Sequence, residues 1–269
     1  MEENIITSVQ NARIKHVVAL QQKSSLRREE GLFVVEGQRE IEHCIACGYE
    51  IVEIFSRNVE CGMRNEKTTF VTPQVYEKMA YRGSTEGIIA VAKCKEHTLS
   101  TINYQLSTKN NPLVVVLESV EKPGNLGAIL RTAEAAGIDA LIVCDPLTDL
   151  YNPNVIRASI GGVFSVPTVV CNSKECIAFL KEHQIRILTA QLQDSYDYYD
   201  YDMRHATAIV MGTESTGLTN IWREAADAHI RIPMLGRLDS LNVSVSAAIL
   251  MYEAVRQRNK KYQHPDGKM

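Results

Sequence analysis

Short apolar runs alternate with segments of helical spacing through the second half of the chain. Unbroken apolar runs predict strands at residues 113–117, 140–143, 165–170, 185–189, 206–211 and 229–232. Helical spacing predicts a helix at residues 127–136, which Gly137 ends, and another from residue 243 onward. Because strands buried on both faces read as continuous apolar runs, this alternation predicts an α/β fold built on a parallel sheet.

The first 95 residues follow a second, smaller α/β pattern. Strands are predicted at residues 33–35, 50–55 and 88–92, and helices at 38–48 and 72–81. The polar stretch that follows, ended by Pro112, is predicted to be a linker at residues 96–111. We therefore expect two domains, at residues 1–95 and 112–269. The length of 269 residues agrees, since one domain typically has about 150.

Composition and charge narrow the class of protein only slightly. Hydrophobic residues make up 45% of the chain and charged residues 23%, as in ordinary globular proteins. The net charge is −3, so no overall basic field indicates a nucleic-acid partner. The first thirty residues contain a modest basic face, interpreted as a solvated helix surface, made of Arg13, Lys15, His16, Lys23, Arg27 and Arg28.

The cysteines favour a reducing compartment. There are seven, an odd number scattered through apolar segments, which indicates a cytoplasmic protein. Cys44 and Cys47 have C-x-x-C spacing, but no second pair follows and the spacing also fits one buried helix face. We therefore expect structural cysteines and no metal. The N-terminus does not resemble a signal peptide, and no apolar run approaches the about 20 residues that span a membrane.

Ligands of parallel sheets bind beyond the carboxyl ends of the strands, and this rule selects three loops. The first loop, residues 118–131, contains a turn at 123–125, after which Asn125 and Gly127 open a helix whose free amides suit an anion. Arg131 lies in the second turn of that predicted helix. It fits either an exposed helix surface or a group that holds a phosphate or the developing charge of a hydroxyl.

The second loop, residues 212–218, places Glu214 between Gly212 and Gly217, directly after a buried strand. Glycines in this position suit a backbone that must approach a ligand closely. Neither a phosphate-binding Gly-Lys-Ser/Thr nor a G-x-G-x-x-G occurs in the chain, which argues against the usual nucleotide-binding folds. Taken alone, Glu214 fits a turn residue equally well.

The third loop, residues 231–246, follows no ordinary secondary-structure period. Ile232 ends a strand, and the stretch to Gly236 offers apolar surface and backbone groups that suit a flat heterocycle such as adenine. Ser240 and Asn242 are good helix N-caps, but four Ser or Asn residues within seven positions exceed what capping needs. The segment fits either a capped helix or a ligand site.

Together the three loops resemble the signature motifs of the SpoU (TrmH-like) family of RNA ribose 2′-O-methyltransferases, within the SPOUT superfamily. The matching segments are NLGAILRTA at 125–133, MGTESTGL at 211–218, IPMLG at 232–236 and SLNVSV at 240–245. They occur in the family's order. The resemblance covers roughly residues 113–258.

The resemblance implies a C-terminal domain with a deep trefoil knot, in which S-adenosylmethionine binds in a bent conformation. It also implies a homodimer whose active site draws on both subunits. The implied substrate is RNA, with ribosomal RNA favoured over transfer RNA. More weakly, the N-terminal unit resembles the substrate-binding domain of many family members, which is similar to a small ribosomal-protein RNA-binding fold.

The resemblance also implies roles for individual residues. Cofactor contacts are expected from Thr189, Gly212, Ile232, Met234 and Leu241. Arg131 is expected to polarise or deprotonate the ribose 2′-hydroxyl, and the residues that position the RNA and this arginine are Asn125, Glu214, Ser240 and Asn242. Because the unperturbed pKa of arginine exceeds about 12, stabilising the alkoxide as it forms is a more plausible role than acting as a base.

Two other functions are compatible with the same fold: a non-catalytic RNA-binding protein and an RNA base methyltransferase. The complete set of candidate catalytic residues argues against the first, and Arg131 beside the Asn-x-Gly of the first loop favours ribose over a base. The tyrosine-rich tract at residues 194–202 is acidic and therefore a poor RNA contact. We interpret it as an exposed connection or a dimer surface.

Overall fold

The computed structural model describes residues 5–57, 67–81, 86–213 and 215–259. The chain forms two compact units. The first comprises Met1–Lys95 with Asp149–Phe164, and the second comprises Glu96–Thr148 with Ser165–Met269.

The first unit contains a mixed five-stranded sheet. Its elements within residues 5–95 are β1 (Ile5–Ile6), α1 (Ala12–Gln22), α2 (Ser24–Glu30), β2 (Leu32–Glu36), α3 (Gln38–Ala46), β3 (Ile51–Ser56), β4 (Thr68–Val71), α4 (Pro73–Met79) and β5 (Ile88–Lys93). The strand order is β1-β4-β3-β5-β2, and β5 runs antiparallel to both of its neighbours. The predicted strands and helices of this half are confirmed, whereas β1 and β4 are additional.

The remaining elements follow the predicted alternation of strand and helix, except where two helices and later three strands come in succession. They are α5 (Leu99–Ser107), β6 (Leu113–Glu118), α6 (Pro123–Ala136), β7 (Ala140–Cys144), α7 (Pro153–Ser159), α8 (Gly162–Ser165), β8 (Thr168–Cys171), α9 (Ser173–Glu182), β9 (Arg186–Ala190), β10 (Tyr196–Asp197), β11 (Thr207–Met211), α10 (Asn220–Ala225), β12 (Ala228–Arg231) and α11 (Val243–Arg258). The seven strands of the second unit form one parallel sheet in the order β10-β12-β9-β11-β6-β7-β8. Every residue of the inner strands β6, β7 and β11 is buried, which accounts for their unbroken apolar sequences. The predicted α/β fold with a parallel sheet is confirmed.

The stretch predicted to be a linker contains helix α5. The side chain of Thr98 accepts a hydrogen bond from the Thr101 amide, and Thr101 in turn bonds back to the Thr98 amide, so a capping box begins the helix. Ile102 and Leu106, four residues apart on one helix face, are buried in the core of the second unit. The prediction was wrong here because the polar residues outnumber this narrow apolar stripe.

Residues 149–164, predicted to belong to the second domain, pack within the first unit. Arg27, predicted on a solvated surface, is only 3% exposed, and its Nε donates to Asp149 Oδ2 at 2.5 Å. Its Nη1 also donates to the carbonyl oxygens of Leu20 and Gln21. Tyr151 stacks on Phe33 with ring centroids 4.4 Å apart. Both anchors join residues far apart in sequence, so local patterning did not reveal them.

The acidic tract at residues 194–202 is partly structured. β10 extends the edge of the parallel sheet beside β12, and Arg231 Nε donates to Asp197 Oδ1 at 2.8 Å. The carbonyl oxygen of Ser195 accepts a second bond from Arg231. The tract is therefore an edge strand attached to β12, and its Tyr196 and Tyr199 side chains are exposed.

Helix α11 packs against α6 and β11. It buries Ala247, Leu250, Met251 and Ala254, the helical spacing seen in the sequence.

Within the described ranges, no helix combines the length and apolar character needed to cross a membrane.

Breaking the Arg27–Asp149 pair should destabilise the first unit. We expect Asp149→Ala to lower the free energy of unfolding by about 3 kcal/mol, because removing one partner leaves a buried charge uncompensated. Chemical denaturation measures this change. Glu50→Ala is the matched control, because Glu50 pairs with Lys93 where both side chains are more than half exposed, and we expect little change. Equal losses in the two variants would contradict this account of the pair.

Candidate active site

A cavity of about 310 Å³ opens at the carboxyl ends of β9, β11 and β12, where ligands of parallel sheets bind. Three segments line it: residues 190–193 after β9, residues 211–213 and 217–218 around the end of β11, and residues 230–243 after β12, to which Arg223, Ser246 and Leu250 add side chains. Its volume lies at the lower end of the roughly 300–1,000 Å³ usual for small-molecule sites. Two of the three sequence motifs therefore meet here.

The loop after β11 closes tightly on itself. A Cβ atom added to Gly212 would lie 2.3 Å from the carbonyl carbon and oxygen of Gly217 and 2.5 Å from the amide nitrogen of Leu218. Gly217 has φ +67°, and its amide donates to the carbonyl oxygen of Thr213. Both glycines are thus required by the backbone, one by close approach and the other by a left-handed conformation. Glu214 lies outside the described residues.

A buried carboxylate holds the far end of this loop. Glu118, the last residue of β6, is 3% exposed and accepts hydrogen bonds from the amide and the hydroxyl of Thr219, at 2.8 and 2.6 Å. Thr219 is the N-cap residue of α10. The loop is therefore fixed to β11 at its start and to β6 at its end.

The segment after β12 supplies the predicted apolar wall. Ile232, Met234 and Leu241 line the cavity together with Ser240. Most of its other residues face solvent, including Leu235, which is 97% exposed, and Leu238, which is 76% exposed. Four residues predicted to serve the cofactor or the chemistry are thus gathered on one side of the cavity.

Thr189, predicted to contact the cofactor, lies apart from the cavity. Its side chain is fully buried, and its Oγ1 lies 2.6 Å from Nδ1 of His229 on the neighbouring strand β12. The lining begins one residue later, at Ala190. Side chains alternate between the two faces of a strand, and Thr189 and His229, which pair in neighbouring strands, meet on one face of the sheet.

A second cavity of about 100 Å³ adjoins the first. Gly212 and Thr213 line both cavities, and Asn125 from the first turn of α6 lines only the smaller one. The side-chain Nδ2 of Asn242 donates to Asn125 Oδ1 at 3.1 Å. Asn242 also caps α11, its Oδ1 accepting from the amide and hydroxyl of Ser244. The segment therefore caps a helix, as one interpretation predicted, and it also lines a cavity, while its use as a ligand site stays a prediction.

Arg131, the predicted catalytic arginine, is not part of this arrangement. Helix α6 begins at Pro123, before the predicted start, so Arg131 falls in its third turn. Its side chain is exposed, lines neither cavity, and makes no hydrogen bond or ion pair among the residues that the structure describes.

Two polar side chains in the large cavity were not predicted. Arg223 Nε and Gln191 Oε1 are buried atoms that lack a hydrogen-bond partner among the described residues. Burying such atoms costs about 1–3 kcal/mol each when they stay unpaired, more for a charged group, so each needs a polar partner, which water or a ligand in the cavity can supply. Arg223 lies in the short helix α10 and Gln191 follows β9, outside all three motifs, so only the folded arrangement identifies them.

Two family models match the chain. One, described as the SpoU rRNA Methylase family, matches residues 112–252, and the other, described as an MRM3-like substrate binding domain, matches residues 11–90. The 23S rRNA (guanosine-2′-O-)-methyltransferase RlmB of Vibrio parahaemolyticus is 36% identical over 200 residues, which cover 74% of this chain and 80% of that protein.

Solved structures agree. A crystal structure of an RNA 2′-O ribose methyltransferase has a TM-score of 0.79 and 38% identity, covering 94% of this chain and 99% of its own. An AdoMet-bound rRNA methyltransferase from Sinorhizobium meliloti has a TM-score of 0.85 and 27% identity, covering 94% and 97%. The fold and the matched motifs define an RNA methyltransferase. The chain belongs to the SpoU rRNA methylase family, which confirms the resemblance found in its motifs.

The close contact at Gly212 predicts a specific loss of cofactor binding. Gly212→Ala should displace the loop at residues 213–218 and weaken binding of S-adenosylmethionine roughly 10-fold or more, because the new methyl overlaps backbone that has no room to move. Isothermal calorimetry measures the affinity. Gly124→Ala is the control, since a Cβ atom there meets nothing within 4 Å, and its affinity should stay at the wild-type value. Unchanged affinity in Gly212→Ala would refute the role given to this contact.

Proposed function

We propose that this chain transfers a methyl group from S-adenosylmethionine to a ribose 2′-hydroxyl of ribosomal RNA. The observation that carries the proposal is the pair of adjoining cavities, which share the Gly212–Thr213 backbone and are lined by the family's motifs. RlmB, by its name, methylates a guanosine 2′-oxygen of 23S rRNA. The proposal keeps the cytoplasmic location predicted from the cysteines.

The larger cavity suits the methyl donor. Apolar side chains of Ile232, Met234 and Leu241 offer a surface for adenine, while Arg223 and Gln191 offer a cationic donor and an amide acceptor. We assign Arg223 to the carboxylate of the donor's methionine part and Gln191 to a donor group such as its amine. The cofactor supplies a sulfonium methyl, which is electrophilic enough to be attacked by an oxygen.

The smaller cavity suits the target nucleotide. Asn125 lines this cavity, and the hydrogen bond that the side-chain amide of Asn242 donates to Asn125 Oδ1 joins the start of α6 to the start of α11. Because a methyl transfer needs the attacking oxygen in line with the methyl and the sulfur, fixed positions of the two cavities should supply much of the rate. Ser240 and Glu214 complete the set proposed to position the RNA.

Arg131 is proposed to stabilise the alkoxide that forms on the ribose. In a single chain its guanidinium reaches neither cavity, so we propose a homodimer in which Arg131 of one subunit completes the site of the other. This arrangement gives the exposed, unpaired guanidinium an anionic partner.

Two further features belong to the proposal. We propose that the chain after β12 threads through a loop as a trefoil knot, which is supported by the way residues 232–241 line the same cavity as the loops after β9 and β11. We also propose that residues 11–90, which match a substrate-binding model, contact the RNA, and that they have the ribosomal-protein-like fold suggested by their sequence.

Labelled methyl groups test the reaction. Wild-type protein incubated with labelled S-adenosylmethionine and unmodified ribosomal RNA should place label on a ribose 2′-oxygen, located by mapping of the RNA. Arg131→Ala should lower the transfer rate by about 100-fold or more while calorimetry shows unchanged cofactor affinity, because its guanidinium acts only on the developing charge. No label in any RNA would favour the non-catalytic reading, and label on a base would favour base methylation.

Mixing inactive variants separates the dimeric site from a site within one chain. Co-expressed Arg131→Ala and Gly212→Ala subunits should regain about a quarter of wild-type activity, since half of randomly formed dimers are mixed and each contains one intact site. Two Arg131→Ala subunits give the baseline. Activity no greater than that baseline would contradict the shared site, but it would leave the proposed methyl transfer itself unaffected.

Arg223 predicts a charge-dependent contribution to cofactor binding. Arg223→Ala should lower the affinity for S-adenosylmethionine roughly 10- to 100-fold, which corresponds to the loss of one charge-assisted hydrogen bond. Binding of 5′-methylthioadenosine, which lacks the carboxylate, should change little in the same variant. Arg186→Ala is the control, because this exposed arginine starts β9 at the end opposite the cavity. Equal weakening of both ligands would assign Arg223 to a structural role.

A further inference from the structure

Three cysteines meet at the carboxyl ends of β7 and β8, on the side of the parallel sheet away from β10. Cys144 ends β7, Cys171 ends β8, and the two residues are direct partners in the parallel pairing of these strands. Cys176 comes from the first turn of α9, which follows β8. The three sulfur atoms all lie within 4.8 Å of one another.

The surrounding hydrogen bonds fix this cluster. The carboxylate of Asp145 accepts from the amide and the hydroxyl of Ser173, and its own amide donates to the Cys171 carbonyl. Ser173 Oγ also accepts from Trp222 Nε1 at 3.0 Å. These bonds hold the ends of β7 and β8 and the start of α9 in one arrangement, so the three sulfur atoms are placed before any ligand arrives.

The exposure of the cluster gives it an entrance. Cys144 and Cys176 are fully buried, whereas Cys171 is partly exposed. Thiolate sulfur is the form that binds metal ions.

The geometry matches a thiophilic ion. Zinc binds thiolates at about 2.3 Å, which places two sulfurs of a tetrahedral site about 3.8 Å apart, within the spread of this cluster. We propose that Cys144, Cys171 and Cys176 bind one zinc ion, with the fourth position open to solvent beside Cys171. From the sequence we expected structural cysteines and no metal because no second pair follows Cys44 and Cys47, whereas the three ligands here come together only in the fold.

The site would act on stability and is independent of the proposed methyl transfer. It joins β7, β8 and α9, while the larger cavity lies at the ends of β9, β11 and β12. Binding to the folded chain alone stabilises it by mass action, so chelation should lower the unfolding temperature. Cofactor affinity should remain the same with and without metal.

Metal analysis of the full chain tests the proposal. Protein stripped with a chelator under reducing conditions should take up one zinc ion per chain, and cobalt substituted for zinc should give a thiolate-to-metal charge-transfer band. Cys171→Ser should lower the affinity for zinc by more than the roughly 10- to 100-fold that is typical of changes outside the ligands. It should also reduce the cobalt charge-transfer band. Cys94→Ser, in the first unit, is the control and should keep both signals.

Cys171 carries the test because its partial exposure allows the serine variant to fold, as circular dichroism would verify. The wild-type cobalt spectrum adds a measurement that needs no variant. Zinc bound equally by the wild type and the Cys171→Ser variant would overturn the proposal. So would a cobalt complex without thiolate absorption, or a stripped, reduced chain that takes up no stoichiometric zinc.

Discussion

The buried Glu118 carboxylate is the constraint on which the candidate site depends. It ends the inner strand β6 and accepts both hydrogen bonds that Thr219 can donate, so it fixes the point at which α10 begins. Between this anchor and β11, the loop folds so closely that Gly212 lies against the backbone of Gly217. A buried carboxylate is costly unless it keeps its hydrogen-bond donors. The core residue Glu118 therefore holds Thr219, and with it the end of the loop, in place.

That fixed loop separates two environments. On one side, the large cavity combines an apolar wall with the unpaired polar atoms of Arg223 and Gln191. On the other, the small cavity presents Asn125, which Asn242 holds in place from the cap of α11. Since Gly212 and Thr213 line both cavities, a group bound in one lies against the same backbone as a group bound in the other. Such proximity is what a direct transfer between two bound molecules requires.

The sequence predicted those features that local patterns encode. Inner strands such as β6 and β11 are buried on both faces and read as unbroken apolar runs, and the motif residues that need special backbone, such as Gly212, stand out by type. Features set by contacts distant in sequence were missed. Examples are the burial of Arg27 by Asp149, the apolar stripe of α5 within a polar stretch, and the displacement of Thr189 from the cavity by one residue. Asp149 and His229, the partners of Arg27 and Thr189, lie on other elements, which periodicity does not report, and the apolar residues of α5 are outnumbered by polar ones.

The position of Arg131 also bears on when the reaction can occur. All described groups that suit the donor lie on one chain, yet the guanidinium proposed to stabilise the developing charge reaches neither cavity of that chain. On the proposed mechanism, a single chain can hold the cofactor without a complete catalytic set. Binding and chemistry then have different requirements, since the first needs the loop fixed by Glu118 and the second needs a partner to supply Arg131. On this proposal, methyl transfer is confined to assembled protein, and a residue essential to the chemistry is exposed and unpaired within one chain because its partner lies on another.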